Sequence, residues 1–318
     1  MIIHINEGYF LRGKTGKGRF AQRLVRAWED AGVELSRNPN DKADVAFHVG
    51  RMKHYSKAKK HVLRVGPACI DTNMDWKKIN YEKAQAVKGA DAIVYQSEYS
   101  RKIYHKLVCK PDKPEIVICN GADTRDYKAK PYDSAFQYNF LASTRIWTKQ
   151  KRGKDLVKAF LDANLDDACL LFCGDNSGIA KKYSDRHNIM FFGPVGDDVL
   201  ARLYRLVANT GAYLHGVYCD TCPNSVVEAQ VAGCPVICTD QGGTHEILRY
   251  GALVHDKPFK YKPMNLNRPP SIDREAMANA IRYFALKQGE VDGVFLQPDD
   301  LYIEHVAYQY VKFFERIL

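Results

Sequence analysis

Short apolar runs alternate with longer amphipathic ones along the whole chain, and that alternation limits the fold more than any other feature. A strand that is apolar on both faces needs helices to cover it, and helices interposed between such strands make them parallel. The first series has strand-like runs at 2–6, 33–35, 45–49, 62–65, 92–95 and 116–119, with helical periodicity at 19–30 and 99–107. The second has runs at 138–142, 168–173, 189–192, 212–215 and 235–238, with helical periodicity at 154–163, 197–207, 225–232 and 274–285. Between them 124–137 shows no period and reads as a linker, 258–270 reads as a proline-bearing loop, and 301–314 keeps apolar residues at helical spacing. The expectation is an α/β protein of two domains meeting near residue 130, and 318 residues suffice for two cores.

Charge is unevenly spread between these halves. Residues 1–130 hold 26 Lys and Arg against 15 Asp and Glu, a net of +11, whereas 131–318 hold 21 against 22, a net of −1. An excess confined to one half suits a polyanionic partner, with solubility alone as the plainer reading. The excess concentrates in 51–60, which includes Lys57, Lys59 and Lys60, and in 101–110, both with aromatics among the cations. A membrane-surface helix needs a broad apolar face. The first stretch offers Met52 and Tyr55, and the second's Ile103, Tyr104, Leu107 and Val108 are those a helix buries against its own sheet, which favours nucleic acid slightly over lipid.

Hydrophobic residues at 46% and charged residues at 26% exclude extensive disorder. No apolar run nears the ~18–20 residues of a membrane helix. The opening Met1-Ile-Ile-His-Ile-Asn-Glu7 lacks a signal peptide's basic segment, and nine scattered cysteines suit reduced thiols. A cytoplasmic protein is expected, peripheral at a membrane surface if its partner lies there.

The most specific stretch runs Asp220-Thr-Cys-Pro-Asn-Ser-Val-Val-Glu228, then through Ala-Gly-Cys-Pro-Val to Thr-Asp-Gln-Gly-Gly-Thr-His-Glu246. Pro223, Asn224 and Ser225 open a helix, whose N–H groups and dipole make a site for phosphate. Glu228, one turn further in, can accept two hydrogen bonds from a vicinal diol such as a ribose beside that phosphate. A capped helix with a half-buried glutamate is the plainer alternative.

This segment, with two acids eight apart, resembles the signature of the family 4 retaining glycosyltransferases of the GT-B fold. Gly16-Lys-Gly18 is similar to the family's glycine-rich loop after the first strand. Residues 90–97 and 117–123 match the segments that end its N-terminal domain, and 171–175 and 191–195 match strands of its donor domain. The resemblance implies two Rossmann-like domains facing a central cleft: an N-terminal acceptor domain over 1–130 that regains a returning helix at 300–318, and a nucleotide-sugar domain over 131–299. It implies retaining transfer of a hexosyl or pentosyl group from a nucleoside diphosphate sugar to an acceptor hydroxyl. Gly16, Gly18, Gly174, Pro194, Asn224 and Ser225 would hold the donor, with Glu228 at the ribose. Arg145, with Lys151 or Arg152, corresponds to the cations that clamp the diphosphate, so neither a metal nor a resident cofactor is implied. Asp220 stands where the family usually has Glu, and no His ends the strand at 65–71, where Asp71 is the acid available in its place. With the basic half as acceptor domain, the expected acceptor is anionic: a nucleic-acid base hydroxyl, such as that of hydroxymethylated phage-type DNA, ahead of a membrane or polysaccharide glycan.

Two rivals come from other classes. Gly8-Tyr-Phe-Leu-Arg-Gly13-Lys14-Thr15 satisfies the P-loop pattern of a phosphotransferase, although Tyr9, Phe10, Leu11 and Arg12 are bulky for a nest of converging amides. A non-catalytic nucleic-acid-binding protein on a sugar-nucleotide fold is the other. Cys219, Cys222, Cys234 and Cys238 approach structural-zinc spacing, but the stretch between them reads as a helix and a buried strand, which favours packed thiols. His4, His48 and His215 lie on strand-like runs and read as core histidines.

Overall fold

The structure, a computed structural model, describes residues 1–5, 16–52, 56–286 and 298–318, with Ser177 by its backbone alone. The P-loop pattern from Gly8 to Thr15 lies outside the described residues. Chain contacts define two units, Met1–Asp123 with Lys260–Asn265 and Asp299–Leu318, and Thr124–Phe259 with Leu266–Pro298. The division falls ahead of residue 130 because the turn Thr124–Tyr127 seats Tyr127 against Tyr204 of the second unit, their ring centroids 6.0 Å apart.

In the first unit β1 (Ile2–Ile5), α1 (Gly16–Asp30), β2 (Glu34–Ser36), β3 (Val45–Val49), β4 (Lys60–Arg64), α2 (Trp76–Gly89), β5 (Ala92–Tyr95), α3 (Glu98–Leu107) and β6 (Glu115–Val117) follow one another. The strands are parallel, in the order β2-β1-β3-β4-β5-β6. All of β3 is buried, as a strand covered on both faces must be. α1 turns Phe20, Ala21, Leu24, Val25 and Trp28 inward at helical spacing. The helix Ile303–Ile317 completes this core. The Trp28 indole N–H donates to Ala307 O at 3.2 Å, and Phe47, Tyr310 and Phe314 pack around the same ring. Met264 joins the unit through a backbone bridge to Asp71.

The second unit contains β7 (Tyr138–Ile146), α4 (Gly153–Ala163), β8 (Ala168–Asp175), α5 (Ser177–Tyr183), β9 (Ile189–Phe192), α6 (Asp197–Thr210), β10 (Tyr213–His215), α7 (Asn224–Val231), β11 (Val236–Thr239), β12 (Gly251–Val254) and α8 (Arg274–Leu286). Its sheet is also parallel, in the order β12-β11-β10-β7-β8-β9. The chain runs outward from β7 through β8 and β9, then returns to β10 on the other flank. That reversal opens a crevice at the carboxyl ends of β7 and β10, the place where doubly wound sheets bind ligands.

Three elements have no counterpart in the sequence pattern, because none carries an apolar face wide enough to set a period. α2 buries only Asn80 and Val87, α5 is a short helix, and the edge strand β12 buries only Val254. Cys219, Cys222, Cys234 and Cys238 are buried free thiols, and burial pushes Cys238 up to about 12. Among the described residues no three His, Cys, Asp or Glu side chains group so as to hold a metal, and no helix is long and apolar enough to cross a membrane. His4, His48 and His215 are buried on their strands.

Candidate functional site

β7 continues to Ile146, and its register with β8 breaks between Ser143 and Ile146, which carries Thr144 and the exposed Arg145 to the carboxyl edge of the sheet. The chain then tightens through the turn Lys149–Lys151 into Arg152, whose φ of 52° is uncommon for a residue with a side chain. These two basic neighbours have opposite fates. Arg152 is 4% exposed and bonded within the unit: Nε donates to Gly216 O at 2.6 Å, Nη1 to Pro270 O at 3.1 Å and Nη2 to the Thr239 hydroxyl at 3.0 Å. Nη2 also lies 2.6 Å from Asp256 Oδ2, an ion pair whose angle is too bent for a hydrogen bond. Three of its five N–H groups thus hold the loop to the unit. Lys151 instead folds back onto the β7 end, donating to the Thr144 hydroxyl and, at 2.7 Å, to Ile146 O. Burial holds its ammonium below the ordinary lysine pKa, and the nearby Asp220 carboxylate opposes that shift.

Asp220 follows β10 across the same crevice. Its Oδ1 accepts from Thr221 N at 2.7 Å, and burial pushes its carboxyl above the usual range despite that bond and the Lys151 charge. Its carbonyl accepts from Gly243 N at 2.7 Å. Gly242, at φ 100°, passes so close that a Cβ there would come within 2.5 Å of Asp220 O, so the Gly-Gly pair is what seats this acid. α7 starts immediately beyond with Pro223 at its N-cap, a residue without a capping side chain, and the half-buried Asn224 and Ser225 stand in its first turn, where the helix dipole favours an anion. Glu228, one turn in, is 2% exposed and lies near the Tyr204 and Tyr213 hydroxyls, whose pKa values burial raises with the Glu228 charge adding to the shift. Those hydroxyls are tied to Ser225 O at 3.2 Å and Ser143 O at 3.0 Å.

Gly174 closes β8 at φ 115°, where a Cβ would fall 1.8 Å from Thr144 O, and its N–H bonds Gly193 O at 3.1 Å, beside the exposed Pro194. The structure thus gathers Arg145, Lys151, Gly174, Pro194, Asp220, Asn224, Ser225 and Glu228 at the carboxyl end of one sheet. The remaining residues singled out in the sequence belong to the first unit. Gly16 and Gly18 open α1. Asp71 Oδ1 accepts from Asn73 N at 3.0 Å and Asn73 Nδ2 at 2.6 Å, the geometry of a turn residue. Lys57, Lys59 and Lys60 sit where β4 begins, at the amino ends of the strands, with Lys59 paired to Asp44 at 2.7 Å.

Two neighbours of this site are not marked by the sequence as functional, His215 being read there as a core histidine. Thr144 receives the Lys151 ammonium, but a Thr in a strand carries no motif. His215 ends β10 with Nε2 unpartnered among the described residues, and burial together with the Arg152 and Lys151 charges lowers it to about 3, so it is neutral. Its position after an apolar strand and before Gly216 is the signal that could have marked it.

The family model described as "Glycosyl transferases group 1" matches residues 137–284. Comparison with curated protein sequences found no match. Among solved structures, sucrose-phosphate synthase from Thermosynechococcus elongatus is similar with a TM-score of 0.72 and 14% identity, over 99% of this chain and 98% of its own. A glycosyltransferase from Rickettsia africae ESF-5 is similar with a TM-score of 0.66 and 15% identity, over 99% and 98%. Anabaena Alr3699/HepE in complex with UDP gives 0.66 and 13%, over 98% of both chains. The two units together have the GT-B fold of these solved structures, and residues 137–284 match the family model of the group 1 glycosyl transferases.

Proposed function

We propose that the protein moves a sugar from a nucleoside diphosphate sugar to a hydroxyl of an anionic acceptor, with retention at the anomeric carbon. The observation that carries this reading is the meeting of Lys151, Asp220 and the N-terminus of α7, which no side chain caps, at the crevice between β7 and β10. Diphosphate oxygens take the N–H groups at Asn224 and Ser225 and the Lys151 ammonium, with Arg145 on the same edge, and these groups stabilise the charge that grows as the diphosphate leaves. Glu228 accepts from the ribose hydroxyls and Asp220 from hydroxyls of the sugar. The departing phosphate oxygen takes the acceptor proton on the face it leaves, so no enzymic nucleophile is required and positioning supplies most of the rate. Because Arg145 and Lys151 provide the positive charge, turnover is expected to survive EDTA.

UDP in the Anabaena complexes makes uridine diphosphate sugars the first donors to try. A thermal-shift screen of UDP, GDP, ADP and dTDP with their sugars identifies the donor, since a ligand that binds only the folded state raises its stability. NMR of the product then reads the anomer. Binding of no nucleotide sinks the reading, and an inverted anomer sinks retention. The +11 of residues 1–130 supports a nucleic-acid hydroxyl as acceptor, for which DNA affinity should fall linearly with salt on logarithmic axes. Retention on anionic vesicles without DNA binding at low salt replaces it with a membrane acceptor. Nine free cysteines accord with a cytoplasmic location.

A further inference from the structure

At the carboxyl end of the first unit's sheet, four cations gather, and among the described residues no acid matches them. Lys17 stands in the first turn of α1, a turn with no acidic residue. Its Nζ comes within 3.2 Å of where a Cβ would stand on either Gly50 or Gly66, so the ammonium lies over the ends of β3 and β4 in room that two glycines provide. Lys83 of α2 reaches the same place, its Nζ 3.9 Å from the Gly66 position. Arg64, the last residue of β4, is 2% exposed, rests its guanidinium 4.1 Å over the Phe20 ring and donates to Asn120 Oδ1, while its Nε has no partner among the described residues.

Arg51 follows Gly50, and its charge acts on both lysines. Although much of the Lys17 stem is exposed, partial enclosure and the Arg64 and Arg51 charges hold its ammonium below the ordinary value. Lys83 is lowered in the same way by enclosure and by Lys17 and Arg51; Glu82 acts on it more weakly in the opposite sense. Among the described residues Lys17, Arg51 and Lys83 have no carboxylate within ion-pair distance. Like charges held together at one sheet end repel, a cost that a bound anion removes.

We propose that Lys17, Arg51, Arg64 and Lys83 form a phosphoryl site that holds a phosphate group carried by the acceptor. This rests on the reading of the first unit as the acceptor domain. Arginine forks and lysine point charges together suit the several oxygens of a phosphate, whose dianion neutralises more of the cluster than a carboxylate does. The anion contact therefore lies at the carboxyl ends of β3 and β4, away from Lys57, Lys59 and Lys60.

The test is calorimetric titration of inorganic phosphate into the full chain at low ionic strength, repeated for a Lys17→Met, Lys83→Met double variant and for Lys151→Met. The expected result is at least a tenfold loss of phosphate affinity in the double variant, with UDP affinity kept, and unaltered phosphate affinity in Lys151→Met. Because it removes repulsion, the double variant should also melt no lower than the parent in phosphate-free buffer. Phosphate binding that is absent from the parent, or that survives the double variant and falls in Lys151→Met, overturns the proposal. If UDP fails to bind while phosphate still depends on Lys17, the donor reading falls and the site stands. Displacement of phosphate by glucose 6-phosphate marks a monoester acceptor and displacement by a duplex oligonucleotide a nucleic-acid backbone; displacement by neither overturns the acceptor role.

Discussion

Arg152→Met asks whether that guanidinium holds the fold or the substrate. The substitution keeps much of the stem but removes the donors to the Gly216 and Pro270 carbonyls and the Thr239 hydroxyl. It also strands the Asp256 carboxylate, whose side chain is 0% exposed. Removing one partner of a buried ion pair costs about 3–5 kcal/mol. The orphaned carbonyls overlap with that figure rather than add to it, since all the contacts share one side chain. At about 2–4 °C per kcal/mol for a unit of this size, the melting temperature should drop by roughly 6–20 °C. Adding Asp256→Leu should recover most of the loss, because an apolar pair leaves no stranded charge. Lys151→Met is the contrast. Its ammonium bonds lie at a partly exposed edge, so stability should change by about 1 kcal/mol or less while UDP affinity falls. Thermal melts followed by circular dichroism and UDP calorimetry on the same samples separate the cases. An Arg152→Met protein that melts with its parent yet no longer binds UDP would reverse the two assignments and refute the reasoning.

Gly174→Ala should destabilise by about 2–4 kcal/mol, read by urea unfolding, because φ is 115° and the new Cβ would meet Thr144 O at 1.8 Å; a neutral result would show that the β7 and β8 ends part easily. Glu228→Ala should weaken nucleotide binding by about 1.5–3 kcal/mol, and calorimetry that finds unchanged affinity in a folded variant removes this residue from the ribose. Arg145→Ala should lower turnover more than it raises the donor KM, since the diphosphate gains charge only as the bond breaks; equal turnover excludes it from the mechanism. His215 is held neutral by a pKa lowered from 6.5 to about 3, so below pH 6.5 the unfolded chain binds a proton that the native state refuses. Stability is therefore fully present above that pH and declines toward pH 3 by up to about 1.4 kcal/mol per unit, and His215→Gln should flatten this arm of the stability curve.

The strands and most helices are legible because each must cover or be covered: the buried run of β3 and the inward stripe of α1 leave a period in the sequence. The 220–246 segment is legible because a Pro-opened helix, two acids and a Gly-Gly turn form one local unit. Contacts between distant residues leave no such trace. Lys151 and Arg152 look alike in the sequence, and what separates them is Asp256 and Pro270, placed beside Arg152 only once α8 and its preceding loop have packed. Lys17 stands between two glycines with no pattern of its own; its meaning comes from Gly50, Gly66 and Lys83, brought together by the register of β3 with β4. Asp71 shows the same limit: the sequence offers it as an acid at a strand end, and its bonds to Asn73 come into view only with the fold.

The helix Ile303–Ile317 gives synthesis of this chain a definite order. Trp28, Phe47 and Tyr310 share one core, yet the ribosome makes the first two long before the third. At about 5–20 residues per second, roughly 10–40 s separate the appearance of Asp123 from the end of the chain. During that interval the nascent first unit displays the apolar groove that the helix later fills, whereas the second unit, complete by Pro298, can close its own core. The earlier-made half is thus the later to mature, and it is the half that nascent-chain chaperones should hold.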